Sequence, residues 1–275
     1  GCDIVMNGTP MAESFTPITL YCKSFDGRGH TIRNIVKTDL SGTASVFTVP
    51  EECESIGITD LRLDNVRLTA QNINIFSGTA AITLKHCSFA LKGVYASTPK
   101  ADIYFFGGVT INACLCSFVL DIKWVQQKGI MLGGNLDRCQ LRLQLRTDQL
   151  YSSTGSATAC FNSVAASDTY FMGKVICSSS SKFCIIISAC TMSNCYFVTA
   201  DQMVNNTAFA GDSGSTTTFA VINANCDNEG WVQYWGVSKN NVNAGYPVLD
   251  FQISWDLTDL STATVELAAN AEYTG

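Results

Sequence analysis

Carboxylates are the first residues in this chain whose spacing could do chemistry. A glycosidase needs two of them flanking one bond, about 5 to 9.5 Å apart. Asp60 and Asp64 lie four residues apart and could point outward from one face; Asp102, Asp121 and Asp137 form a second candidate set. A lyase would add a calcium-binding Asp cluster and an arginine base. Arg138, Arg142 and Arg146 alternate with Leu141, Leu143 and Leu145, and so read instead as an outward basic stripe, a solvated face or a subunit contact. Exposed acids are common on repeating β folds, so no catalytic residue is assigned. No G-x-S-x-G, phosphate loop or dinucleotide-binding glycine pattern occurs.

Sulfur is the other reactive element. There are 13 cysteines, an odd number that cannot pair completely, and no C-x-x-C occurs. Cys114 and Cys116 are the closest pair, and their C-x-C spacing suits a zinc site poorly. With only two histidines, His30 and His86, neither a metal site nor a His-dependent triad is expected, and no cofactor is implied. Several cysteines instead sit in alternating apolar runs, two residues before Phe or Leu, as in Cys87-Ser88-Phe89, Cys116-Ser117-Phe118 and Cys139-Gln140-Leu141. Free Cys packs as a small hydrophobe. The pattern predicts unpaired thiols filling a core and synthesis in a reducing cytoplasm.

Aromatic residues offer the one ligand contact worth naming. Trp231, Tyr234 and Trp235 cluster beside Gly230 and Gly236. On a shallow surface they would stack on sugar rings. The competing role is to cap the open end of a sheet, because an uncovered edge pairs with other chains.

The elements that would position these residues are strands. Ile58-x-x-Leu61-x-Leu63-x-x-Val66-x-Leu68 alternates with strand period, and no sustained helical stripe is present. The longest helix candidate, Ser261 to Glu272, has no convincing caps. Aligning Val66 with Cys87, Cys116 and Cys139 gives steps of about 20 to 30 residues, the mark of a solenoid. Further rungs are expected near Cys160, Cys177, Cys195 and Cys226. Turn-prone clusters such as Gly133-Gly134-Asn135 and Ser178 to Ser181 fall between runs. The fold expected is all-β, a right-handed parallel β-helix over residues 1–255, with 256–275 as a terminal strand, cap or tail. An antiparallel sandwich would need hairpin dipeptides, and only Asn7-Gly8 and Asp26-Gly27 appear.

Composition narrows the rest. The 275 residues carry 17 basic and 23 acidic side chains, a net charge of −6. That argues against a nucleic-acid partner, which usually meets a basic face. No apolar run reaches the length of a membrane span. The start, Gly1-Cys2-Asp3, lacks the basic and apolar regions of a signal peptide, though Gly1-Cys2 could remain from lipoprotein processing. Two N-glycosylation patterns, at Asn7 and Asn205, are close to chance frequency.

The ends of the chain resemble a known family. Asp3-Ile4-Val5-Met6-Asn7-Gly8, Pro17-Ile18 and Phe25-Asp26-Gly27-Arg28-Gly29-His30-Thr31-Ile32-Arg33-Asn34-Ile35 resemble the opening of GLUG-type, pectin-lyase-like β-helix proteins. Trp235-Gly236-Val237 with Asn243-Ala244-Gly245-Tyr246-Pro247-Val248-Leu249 is similar to their closing strand. The resemblance spans residues 3–68 and 231–251. It implies a surface or adhesin-like protein on a β-helix. In the motif itself, Gly27 and Gly29 are expected to supply positive φ in a tight turn, which His30 caps by hydrogen bonding.

Together these readings favour a non-catalytic structural or attachment protein on an exterior surface: a phage virion component such as a fibre, spike or capsid decoration. Its partners would be host or cell-surface glycan or neighbouring virion subunits, and the low charge leaves room for a subunit face in a homo-oligomer. The rivals are a bacterial adhesin-like β-helix fragment and a polysaccharide-degrading enzyme.

Overall fold

The computed structural model describes residues 4–5, 15–95, 105–106, 108–124, 129–147, 161–177, 187–188, 190–193, 195–199, 215–217, 235–236 and 248–249. The backbone falls into two compact units, Gly1–Val221 and Ile222–Gly275. The expected tail at 256–275, including the helix candidate, lies outside the described residues.

The first unit is a parallel β-solenoid with no helix among its described residues. A narrow sheet stacks Ser24–Asp26, Ser55–Thr59, Ala81–Lys85, Thr110–Cys114, Asn135–Asp137, Ala165–Ser167 and Thr191–Ser193 in chain order. Each runs through a short corner into the broad sheet, at Thr31–Arg33, Arg62–Ser77, Ser88–Tyr95, Ser117–Trp124, Gln140–Thr147, Tyr170–Cys177 and Tyr196–Thr199. A third, three-stranded sheet holds Met131–Leu132, Phe161–Asn162 and Ile187–Ser188. Every pairing among the described residues of this unit is parallel, as a β-helix demands and a sandwich forbids.

Register turns alternation into a core. Phe89 pairs with Phe118, Phe118 with Leu141, and Leu141 with Phe171, so inward residues form a continuous column. Phe89 and Phe118 stack with ring centroids 5.4 Å apart, as do Phe47 and Phe76. Such pairs add about 0.5–1.5 kcal/mol each beyond the area they bury.

The corners between the sheets share one device. Asp60, His86, Leu115, Arg138 and Asp168 all have φ between 45° and 53°. The residue after each, Leu61, Cys87, Cys116, Cys139 or Thr169, is buried. A left-handed conformation costs a non-glycine residue about 1–2 kcal/mol. The backbone compensates by continuing its ladder around the bend. The corner N–H donates to the next rung, Asp60 to Lys85 O at 3.0 Å and Leu115 to Asp137 O at 2.9 Å. Two residues on, Ser88 donates back to Leu61 O and Gln140 back to Cys116 O, both at 2.9 Å.

Two expectations are corrected here. The cysteine column continues downward to Leu61, not Val66, because Arg62 pairs with Ser88. Asn65, at φ 50°, adds a residue to its rung and displaces Val66 in the count. In the opening turn, positive φ falls on Arg28 and Gly29, not on Gly27. Gly27 serves close approach instead, since a Cβ there would lie 2.6 Å from the Asp60 carbonyl oxygen. The His30 backbone N–H closes that turn on Gly27 O at 2.8 Å.

Corner strain is testable. Leu115→Gly is expected to leave the melting temperature unchanged or higher, because relief of strain offsets the added chain entropy. Leu115→Val is expected to lower it, since β-branched residues tolerate positive φ badly. Gly134 has φ 92°, and a Cβ there would overlap the Ile111 carbonyl, so Gly134→Ala is expected to cost more than about 1 kcal/mol. Thermal denaturation of the three variants checks the set.

Candidate functional site

The rung repeat gathers the reactive side chains along one edge of the solenoid, where the narrow sheet meets the broad one. Two rows run side by side there, one facing in and one facing out.

The inward row is the corner column Leu61, Cys87, Cys116, Cys139, Thr169 and Cys195, buried throughout. Each polar member donates to the carbonyl two residues before it. Cys87 reaches Lys85 O at 3.3 Å, Cys116 reaches Cys114 O at 3.3 Å, Cys139 reaches Asp137 O at 3.3 Å and Thr169 reaches Ser167 O at 2.8 Å. Several also reach the rung below, as Cys87 does to Ile58 O at 3.5 Å and Cys139 to Ala113 O at 3.4 Å. The thiol therefore closes the corner as a hydroxyl would, which is why Thr169 can stand in the column. Sequence spacing placed rungs at Cys160 and Cys177 here. Cys160 lies outside the described residues, and Cys177 ends a broad-sheet strand opposite Thr147. Cys195 is in the column, as the spacing indicated.

Eight cysteines have described side chains, and none of them forms a disulfide: Cys22, Cys53, Cys87, Cys114, Cys116, Cys139, Cys190 and Cys195. Burial pushes the Cys116 thiol well above the ordinary thiol range, and burial likewise raises Cys195. These sulfurs stay protonated at neutral pH and are poor nucleophiles.

The outward row is more polar. Cys114, Asp137 and Ser167 occupy equivalent positions on three successive rungs. Arg138 belongs to the adjacent corner, not to the strand Gln140–Thr147 with Arg142 and Arg146, so it leaves the stripe expected from sequence. Its guanidinium clasps the Asp137 carboxylate and approaches the Cys114 sulfur at 3.4 Å. Cys114 donates to Asp137 Oδ2 at 3.3 Å and Ser167 donates to Asp137 Oδ1 at 3.0 Å. Burial acts to raise the Asp137 carboxyl, but the hydrogen bonds from Arg138, Ser167 and Cys114 outweigh it and hold the group below the usual carboxylate range. Burial, then the bond to Asp137, raises Cys114. This cluster was not legible in the sequence. In a strand the C-x-C spacing would set Cys114 and Cys116 on one face; the left-handed Leu115 between them turns one outward and the other inward.

Among the described residues the carboxylates considered for catalysis lie on separate elements. Asp60 sits at a corner, 3.5 Å from His86 Nδ1 on the next rung, whereas Asp64 is exposed on the broad sheet. Asp121 lies on the broad sheet, 4.0 Å from Lys92 Nζ, while Asp137 ends a narrow-sheet strand. Asp102 lies outside the described residues. Among the described residues no group of three or more His, Cys, Asp or Glu is placed to hold a metal ion, and no helix is long and apolar enough to cross a membrane.

Of the aromatic candidates, Trp231 and Tyr234 lie outside the described residues. The backbone of Trp235–Gly236 pairs antiparallel with Val248–Leu249, Trp235 opposite Leu249. No family model matches the chain, and no curated protein or solved structure matches it significantly.

Two measurements probe this edge. In the native protein, half-buried Cys22, Cys53 and Cys114 should be alkylated before buried Cys87, Cys116, Cys139, Cys190 and Cys195, which timed labelling with peptide mass mapping resolves. Asp137→Asn should be less stable than wild type at pH 7. A lowered folded pKa gives stability that is present above the unfolded pKa of about 3.9 and disappears as pH falls through the folded value. Urea unfolding at pH 7 and at progressively lower pH should therefore show the gap between the two proteins closing on acidification.

Proposed function

We propose that this chain is a non-catalytic attachment protein, a rigid solenoid that presents its sheet faces at an exterior surface. The best-fitting assignment is a phage virion component, a fibre, spike or capsid decoration that contacts host glycan or neighbouring subunits. The observation that carries the non-catalytic reading is how the carboxylates are used. Asp26 accepts from the Arg28 N–H and from Thr59 of the next rung. Asp60 meets His86 across rungs, and Asp137 joins three rungs at once. These acids hold the rod together, and among the described residues the suggested partners lie on different elements, Asp60 at a corner and Asp64 on the broad sheet, Asp121 on the broad sheet and Asp137 on the narrow one.

A bacterial adhesin-like β-helix is the second reading. The resemblance of both chain ends to GLUG-type proteins supports it, together with the strand pair formed by Trp235–Gly236 and Val248–Leu249. Both readings expect binding without turnover.

The test is a panel of bacterial surface polysaccharides, assayed for retention and for new reducing ends or unsaturated uronate. Retention of at least one polysaccharide with no product is expected. Steady release of product would replace the attachment reading with a polysaccharide-degrading enzyme. Absence of binding to every polysaccharide and to intact cells would remove the attachment role.

A further inference from the structure

The whole chain is acidic, yet one face of it is not. On the broad sheet, beyond the row next to the corner, three outward rows cross the strands from Arg62–Ser77 to Tyr170–Cys177. One row pairs Arg67 with Lys92, Lys92 with Asp121, Asp121 with Gln144 and Gln144 with Lys174. A second pairs Thr69 with Val94, Val94 with Lys123 and Lys123 with Arg146. The third pairs Ala90 with Val119 and Val119 with Arg142, with Asp64 at its start. Among the residues whose side chains are described, these rows hold four basic residues, Arg67, Lys92, Lys123 and Arg142, and two acids, Asp64 and Asp121. The face thus has a surplus of two positive charges on a chain of net charge −6.

The cations are available. Arg67, Lys92 and Lys123 are exposed and Arg142 is half-buried. Asp121 lies 4.0 Å from Lys92, at the limit of an ion pair. Among the described residues none forms an ion pair with Arg67, Lys123 or Arg142. The spacing is set by the fold: neighbouring rungs lie about 4.8 Å apart and alternate residues along a strand about 6.7 Å apart. The result is a flat lattice of positive positions with repeats in both directions.

What the rows lack defines the ligand. None of their described side chains is aromatic: the others are Thr69, Ala90, Val94, Val119 and Gln144. A flat sheet face without rings offers nothing for nucleobases to stack on, and it offers no convex element to enter a duplex groove. It suits an extended polymer recognised by regularly spaced charge. We propose that the broad face of the solenoid binds a linear anionic polysaccharide, with Arg67, Lys92, Lys123 and Arg142 at the centre of the contact. This deepens the attachment reading, and it moves the glycan contact from the Trp231, Tyr234 and Trp235 cluster to the opposite kind of chemistry, charge instead of ring stacking.

The experiment uses fluorescent alginate, a linear polyuronate, against neutral dextran and a single-stranded DNA of matched charge. Alginate should bind at low ionic strength and weaken as salt approaches about 0.15 M, where the screening length falls to about 8 Å; dextran should not bind. The triple variant Lys92→Gln, Lys123→Gln, Arg142→Gln should lose about tenfold or more in affinity and show a shallower salt dependence, as expected when three counterion-releasing contacts go. Asp121→Asn should bind more tightly than wild type, a gain that misfolding cannot produce. Equal binding by wild type and the triple variant would overturn the proposal, as would tighter binding of DNA than of alginate. If alginate fails while a neutral surface glycan is retained, the charged-face proposal falls and the attachment reading stands.

Discussion

Everything in this solenoid depends on one constraint: each rung must lie in register on the next. Parallel strands pair with evenly spaced hydrogen bonds and no hairpin fixes their alignment. Here the corner does that work. A left-handed residue turns the chain, its N–H reaches the rung above, and the side chain after it closes the bend from inside by bonding to a carbonyl two residues back. The Phe and Leu column, the thiol column and the outward polar rows all inherit their alignment from that bend. A slip of one residue would carry the whole apolar set to the outer surface.

Part of this was legible in the sequence. Cys-x-Phe and Cys-x-Leu recur because the corner side chain and the first core residue of the broad sheet both face inward, and period two shows in any strand. The strand class, the parallel stacking and the free thiols follow from it. The corner residues themselves were not legible. Asp60, His86, Leu115, Arg138 and Asp168 share a backbone conformation but no chemistry, so no residue type announces the position. The same blindness shifted the first rung, since Asn65 looks like any polar strand residue until its φ is known. Thr169 escaped for the opposite reason: a search keyed on sulfur misses a hydroxyl making the same bond. The polar cluster around Asp137 and the basic face belong to the same class. Both join residues 20 to 30 positions apart whose proximity exists only once the register is fixed.

The thiol column changes what the cysteines signify. Side chains stacked on parallel neighbours lie about 4.7–4.9 Å apart, whereas a disulfide draws its Cβ atoms to about 3.8 Å. Cys87, Cys116 and Cys139 are adjacent in the column, and none of them forms a disulfide. Their thiols instead bond to the backbone carbonyls of the corner. The cysteines are best understood as compact donors that fit a corner too tight for a larger polar group.

The strained corners also bear on how the chain folds. A lone rung cannot hold a left-handed Leu115 or Arg138, because the carbonyls that accept their N–H groups belong to the rung that follows. The smallest stable unit is therefore a pair of rungs, and growth adds one coil at a time to an existing template. Such a rod has a nucleation barrier set by closing the first two coils and a low barrier for every later step.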